Sequence, residues 1–377
     1  MIKFNEPYIT GKEEFYLKDV FERNQYSGNV YYTQKCHKLI ENKLSCENVL
    51  LTDSCTSALE ICALLLKDWT KQQEIIVPSY TFSSTAAAFA RAGYKIVFAE
   101  IDPMTMMLDS SKIESKITSK TVAIVLVHYG GFGGKVKTFK EICKKQSIYL
   151  VEDAAQAFGC IEDGNFLGTV GDFGCFSFHE TKNLHAGLSG ALVVNNDKFF
   201  ERAVHIWERG TNRQDVIKGI ADKYSWVEIG GSFYPTELQS AFLYAQLEAF
   251  EQNLAGRKKI FSGYEEVFSR ILHPSLIYPK ISNNFQTNYH GFWLLFLTEA
   301  ECDYVRVELL KNSIQAYIGY VPLHSSKVGL SMGYKASDLQ ITEDVSKRIL
   351  RLPIHCKMTK TDAKMIAQLV IKYLEDF

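Results

Sequence analysis

Between Val49 and about Val194, short runs of consecutive apolar residues alternate with stretches of helical period. Val49-Leu50-Leu51 precedes a helical pattern from Thr56 to Leu66, and Ile75-Ile76-Val77 precedes one from Thr85 to Ala92. Val122 to Val127 leads into Val136 to Lys144, Tyr149-Leu150-Val151 into Asp153 to Phe158, and Ile96-Val97-Phe98 stands alone. Uninterrupted Val- and Ile-rich runs mark strands covered on both faces, and single helices between them predict a mostly parallel α/β sheet. Ligands of such sheets gather at the carboxyl ends of the strands.

After Pro235 the pattern changes. A long helix is expected from Thr236 to about Ser269, with Leu238, Ala241, Phe242, Ala245 and Ala249 on one buried stripe. Tyr289 to Leu297 then reads as a strand, and Asp303 to Asn312 and Thr361 to Leu374 as helices. These elements predict two closely packed domains: 1–250, large, with the N-terminal segment, and 251–377, a smaller C-terminal α+β domain.

The chain has 377 residues, 46% of them hydrophobic, enough for a sizeable core. Lys plus Arg number 42 against 43 Asp plus Glu, without long like-charge runs, so no nucleic-acid or anionic-lipid footprint is expected. The nine cysteines are scattered, some inside apolar runs, and read as free thiols of a reducing compartment. Their spacing predicts no metal site. Met1-Ile2-Lys3-Phe4-Asn5 opens no apolar signal segment, and no run approaches the roughly 18 apolar residues of a membrane span. A cytoplasmic protein is expected.

The candidate chemistry lies at strand ends. Asp153 follows Tyr149-Leu150-Val151, and Lys182 follows the short strand pattern Cys175-Phe176-Ser177-Phe178, 29 residues after Asp153. That separation leaves room for a loop and one strand, so both side chains can reach one pocket. A lysine that holds an aldehyde as a Schiff base, a carboxylate that keeps a pyridinium protonated and an anion site for a phosphate are what pyridoxal phosphate requires. Asp53-Ser54-Cys55-Thr56-Ser57-Ala58-Leu59 supplies the anion site, a helix start with free N–H groups, with Thr56 and Ser57 as the expected ligands. Taken singly, each has a plainer reading: Asp and Ser cap helices, and lysines are mostly solvated. Phe82, in Pro78-Ser79-Tyr80-Thr81-Phe82, either stacks on the ring or serves as a core or lid aromatic.

Three look-alikes fail. Gly187-Leu188-Ser189-Gly190-Ala191 precedes a strand, where a nucleophile elbow needs the strand first. Gly130-Gly131-Phe132-Gly133-Gly134-Lys135-Val136 has Tyr129 and Val136 where a phosphate-binding Walker loop needs Gly and Ser or Thr, and is expected to be a flexible loop at the pocket mouth. No G-x-G-x-x-G opens a helix.

The ordered segments Ser54-Cys55-Thr56-Ser57-Ala58-Leu59-Glu60, Pro78 to Phe82, Val151-Glu152-Asp153-Ala154-Ala155-Gln156 and Ser177-Phe178-His179-Glu180-Thr181-Lys182-Asn183 resemble the DegT/DnrJ/EryC1/StrS nucleotide-sugar aminotransferases. Arg209 to Arg213, Asp222 to Trp226, Ala245 to Ala249 and Tyr320-Val321-Pro322-Leu323-His324 narrow the likeness to members making dTDP-4-amino-4,6-dideoxygalactose. The likeness runs from Ile2 to Pro353. It implies the fold type I, aspartate aminotransferase-like architecture and a pyridoxal 5'-phosphate cofactor. It further implies amino transfer from L-glutamate to C4 of dTDP-4-dehydro-6-deoxyglucose, with the galactose configuration favoured, for surface polysaccharide or O-antigen synthesis, and a homodimer with shared active sites; a glucose-configured product, amination of a 3-keto sugar nucleotide and a noncatalytic cofactor-binding regulator are the alternatives. By the same resemblance Lys182 carries the cofactor and Asp153 pairs with its ring nitrogen. Gln156 approaches the phenolic oxygen, Phe82 stacks on the ring, and Thr56, Ser57 and Ser177 hold the phosphate. Ser232, standing where the family often has asparagine, reaches the neighbouring subunit's phosphate site, and Tyr320 and His324 reach the sugar nucleotide. One departure stands out: Gly187-Leu188-Ser189-Gly190 lacks the acid that the family usually carries in this turn.

Overall fold

The computed structural model describes residues 1–270 and 276–377. Its largest sheet has seven strands in the order Val49–Thr52, Gly190–Val194, Phe173–Ser177, Tyr149–Asp153, Thr121–Val127, Glu74–Pro78, Lys95–Ala99. Only Gly190–Val194 runs against its neighbours; the four pairs from Phe173–Ser177 to Lys95–Ala99 are parallel. Successive side chains on a strand point to opposite faces, and the core divides accordingly. Leu50, Ile75, Val77, Ala123 and Val125 pack with Ile61 and Phe89 on one face. Leu51, Ile76, Ile124 and Leu126 pack with Ile40 and Phe139 on the other. Both faces are covered, which is why the strands read as unbroken apolar runs.

A second, three-stranded antiparallel sheet places Ile349–Leu352 between Phe292–Leu295 and Tyr317–Ile318. The helices Phe250–Phe268 and Lys360–Asp376 cover it through Phe261, Tyr264, Ile366 and Val370. The chain's first residues join this part, since Ile2 bridges Ile314 and its N–H donates to the Ser313 carbonyl at 2.8 Å.

Three local expectations are corrected. Asp153 to Phe158 is not a helix: the strand continues through Asp153, opposite Val127 and Cys175. A tight turn follows, with the Ala157 and Cys160 N–H groups donating to the Ala154 and Ala157 carbonyls. Its apolar residues serve the core instead, as Phe158 packs edge-on against Phe176, Phe178 and Phe250. The long helix after Pro235 is two helices, Glu237–Glu248 and Phe250–Phe268, meeting at Ala249. The first starts with a Thr236/Gln239 capping box, and the break sets Phe250 into the main core. Tyr129-Gly130-Gly131 is a buried 3-10 turn rather than a flexible loop. Gly131 has φ +83° and lies so close to Asn288 Oδ1 that a Cβ would overlap it, so only glycine fits.

Candidate active site

A cavity of about 510 Å³ opens where the strands ending at Thr52, Pro78, Val127, Asp153 and Ser177 present their carboxyl ends, and the smaller sheet closes its far wall. Its charged lining side chains are Lys182, Arg257, Arg351 and Asp153, three cations against one carboxylate. Such a wall favours a polyanionic occupant.

Asp153 is 5% exposed. Its Oδ2 accepts from Thr85 Oγ1 at 2.7 Å and its Oδ1 from the Ala155 N–H at 3.2 Å. Burial raises its pKa, while the Thr85 bond, the Ala155 N–H and the charge of Lys182 hold it down in part. Thr85 is supported in turn by Thr81 Oγ1 at 2.9 Å. Behind Asp153, the fully buried Glu152 accepts from His128 Nε2 at 2.8 Å and from the N–H groups of Gly168, Val170 and Gly171. Burial alone would raise the Glu152 pKa, but these bonds lower it, and the layer under Asp153 is fixed.

Lys182 lies in the turn after Phe173–Ser177, its N–H bonded to the His179 carbonyl at 2.8 Å. Its amine reaches the cavity, and among the described residues its Nζ has no hydrogen-bond or ion-pair partner. Burial depresses its pKa, and Arg351 adds to the shift; Cys55 and Asp153 oppose it. A lysine neutral at lower pH than usual is a better nucleophile and proton acceptor.

Of the other expected residues, Thr56, Phe82, Gln156, Ser177 and Tyr320 also line this cavity. Thr56 lies in the first turn of the helix Cys55–Leu66, whose packing against Gly190 leaves no room for a Cβ there. Phe82 stands at the rim, 58% exposed. Gln156 is pinned between the Gly130 N–H, which it accepts at 2.7 Å, and the Tyr320 hydroxyl, to which it donates at 2.8 Å. Burial pushes Tyr320 up to about 12.

Ser57 and His324 are not brought to the wall. The N–H of Ser57 is already capped by Ser54 Oγ at 3.1 Å, and Ser54 and Cys55 line the cavity in its place. His324 is fully buried between Ser79, whose Oγ lies 2.6 Å from Nδ1, and Glu343. It ties the Tyr320 to His324 segment to the main sheet. Ser232 sits away from this chain's cavity, in an isolated bridge with Glu208. In the departing turn, Leu188 is exposed and faces the cavity, while Ser189 is buried and donates to the Thr52 carbonyl at 2.9 Å.

Several lining residues escaped the sequence reading: Thr85, Arg257, His290 and Arg351. Thr85 follows a strand end by one short turn, so the rule that found Asp153 applied to it. Arg351 carries a signal too, a single charge inside the apolar run Ile349-Leu350-Arg351-Leu352. Its guanidinium lies 5.3 Å from the Phe4 ring centroid and 5.5 Å from that of Tyr320, donates to the Ile318 carbonyl, and leaves its buried Nε without a partner.

The chain as a whole has recognisable relatives. The sequence profile of the DegT/DnrJ/EryC1/StrS aminotransferase family matches residues 7–371. An uncharacterized protein of Methanocaldococcus jannaschii is 30% identical, over 91% of this chain and 90% of its own length. GDP-perosamine synthase of Escherichia coli O157:H7 is 25% identical, over 98% of each chain. Among solved structures, the Helicobacter pylori aminotransferase PseC, involved in the biosynthesis of pseudoaminic acid, superposes with a TM-score of 0.91 over 100% of both chains at 23% identity.

Proposed function

The chain belongs to the DegT/DnrJ/EryC1/StrS aminotransferase family and is a pyridoxal phosphate-dependent sugar aminotransferase, and from that premise we propose its substrates and the work of its residues. The amino donor is L-glutamate. The acceptor is dTDP-4-dehydro-6-deoxyglucose, aminated at C4 to the galactose-configured dTDP-4-amino-4,6-dideoxyhexose used in surface polysaccharide. The observation that carries the amino-transfer chemistry is the pairing of the Lys182 amine, without a partner among the described residues, with the buried, Thr85-held Asp153 in one cation-rich cavity; the choice of sugar nucleotide rests on the resemblance of Arg209 to Arg213, Asp222 to Trp226 and Tyr320 to His324.

The residues fit the cofactor. Lys182 would hold its aldehyde, Asp153 its ring nitrogen, and Phe82 one face of its ring. The start of the helix Cys55–Leu66, with Thr56 and Ser177, would hold its phosphate. Bound pyridoxal phosphate supplies an electron sink for the carbon that loses its proton. The carboxylate of Asp153 keeps a proton on the ring nitrogen. With the cofactor bound, the Lys182 amine would take a proton at Nζ from the donor's amino-bearing carbon, and in the return half-reaction would deliver one to the sugar's C4. Because both substrates use one cavity in turn, the kinetics are ping-pong. Arg351 meets the substrate's negative charge.

The working unit is a cytoplasmic homodimer of chains divided as 1–250 and 251–377, in which Ser232 serves the other subunit's phosphate. The exposed apolar residues Ile217, Ile220, Trp226, Val227 and Ile229 near Ser232 support a covered surface there. A GDP-linked 4-keto sugar is the second reading, favoured by the end-to-end match to GDP-perosamine synthase. Glutamate added to the protein carrying cofactor is expected to bleach its visible absorbance and release 2-oxoglutarate; no bleaching and no keto acid would overturn the reading.

A further inference from the structure

His290 belongs to the Thr287 to Gly291 segment that leads into Phe292–Leu295, and its ring lines the cavity beside Lys182. Its place is fixed from several sides. Arg257 donates to the carbonyls of Tyr289 at 2.9 Å and His290 at 2.7 Å. Tyr289 is held at φ +55°, a conformation a bulky residue keeps only under constraint. The His290 N–H donates to Asn288 Oδ1 at 3.0 Å, and Asn288 Nδ2 donates to the Gln156 and Phe158 carbonyls.

The ring's tautomer follows from its neighbour. Asn183 Nδ2 donates to the Asn288 carbonyl at 2.8 Å, an orientation that points Asn183 Oδ1 at His290 Nδ1, 2.9 Å away. An amide oxygen only accepts, so Nδ1 carries the proton. Burial, with the cations Lys182, Arg257 and Arg351 nearby, drives the His290 pKa well below its ordinary value, so the ring is neutral. Nε2 is then a bare lone pair, and among the described residues nothing donates to it.

We propose that His290 Nε2 accepts a hydrogen bond from a hydroxyl of the sugar, next to the carbon being aminated, and makes the enzyme selective for hydroxylated over deoxygenated keto sugars. The proposal rests on the aminotransferase reading. A neutral acceptor needs a donor, and the donors available are few. Glutamate held at its amino group presents carboxylates, which only accept. The cofactor's phosphate and phenolic oxygens accept as well, and its ring N–H belongs to Asp153. The Lys182 amine and the amine in transfer also carry N–H groups, but both serve the reacting carbon, so the sugar's hydroxyls are the donors that remain for Nε2. A buried polar group built for a hydroxyl discriminates strongly against the analogue lacking it, because the group is then left unpaired.

The test uses the full chain with cofactor bound, and two 4-keto sugar nucleotides differing only in the hydroxyl beside the keto carbon. Wild type is expected to prefer the hydroxylated substrate in kcat/KM by up to about 100-fold, the cost of leaving one buried acceptor unpaired. His290→Phe should reduce that preference to within about tenfold, mainly through the hydroxylated substrate, while His290→Gln, which keeps an acceptor, retains most of it. The sugar half-reaction should fall at least about tenfold more than the glutamate half-reaction. Independently of activity, nitrogen NMR of the protein, assigned by the signal missing in His290→Gln, should show a neutral ring protonated at Nδ1. An unchanged preference in His290→Phe, an equal loss in both half-reactions or a proton on Nε2 would overturn the proposal. Wild type inert toward glutamate would instead sink the aminotransferase reading, and this proposal with it.

Discussion

Replacing Thr85 with valine keeps the side chain's shape and removes only the hydroxyl that donates to Asp153 Oδ2 at 2.7 Å. Because Thr85 donates to the carboxylate, the hydroxyl of Thr81 must be the donor between the two threonines. Valine therefore leaves Oδ2 without a protein donor, and only the Ala155 N–H at 3.2 Å still serves the carboxylate, at Oδ1. A hydrogen bond to a charged group contributes about 1.5–3 kcal/mol, equivalent to roughly 10- to 150-fold. The Thr85 bond lowers an Asp153 pKa that burial raises, so its loss lets the pKa climb further. In the proposed chemistry Asp153 works ionised, above its pKa; the acid limb of the rate profile should therefore move to higher pH, and the deficit should grow as pH falls. The assay is the stopped-flow rate of cofactor bleaching by glutamate across pH, with the cofactor dissociation constant measured in parallel. Thr85→Ser should behave as wild type, and Thr81→Val should show a smaller loss, under about tenfold. Thr85→Val within twofold of wild type in both rate and cofactor affinity, with its acid limb unmoved, would refute the reasoning.

Lys182→Ala should lose the bound cofactor's visible absorbance and steady-state turnover, and retained activity would remove Lys182 from the chemistry. In the cofactor-free protein, burial lowers the Lys182 pKa from 10.5, so its amine is neutral over a wider range at the low-pH side. Its reductive alkylation, followed by peptide mass, should have a midpoint below 10.5, and a midpoint at or above that value contradicts the account. Arg351→Met removes a largely enclosed charge with no carboxylate partner among the described residues. KM for an anionic substrate should rise about tenfold or more with a smaller change in kcat, and unchanged KM values for both glutamate and the nucleotide sugar would reject a binding role.

Much of the main sheet was legible because its strands are buried on both faces. Ile75 and Ile76 serve opposite cores, as do Leu50 and Leu51, so apolar runs persisted where an alternating pattern would have left a face to solvent. Periodicity failed where one apolar pattern suits two structures. Asp153 to Phe158 has helical spacing, yet its apolar residues fill a turn around Phe158 and its first residue completes a strand. The Glu237–Glu248 and Phe250–Phe268 helices share one stripe in the sequence, but Phe250 turns into the main core and divides them.

The half of the site on the main sheet was legible for a related reason, because strand ends and helix starts bring Asp153, Lys182 and Thr56 together by local rules. Arg351 and His290 reach the same cavity only through the packing of a distant sheet, which no local pattern reports. His324 shows the converse: a resemblance put it near substrate, but its ring is spent on Ser79 and Glu343.

The central claim, amino transfer from glutamate to a 4-keto sugar nucleotide, is tested most directly by incubating the protein carrying cofactor with L-glutamate and dTDP-4-dehydro-6-deoxyglucose and determining the product by NMR. The account predicts one equivalent of 2-oxoglutarate per dTDP-4-amino-4,6-dideoxyhexose, with an axial, galactose-configured amine at C4. An unaminated sugar, with glutamate unconsumed, would contradict it.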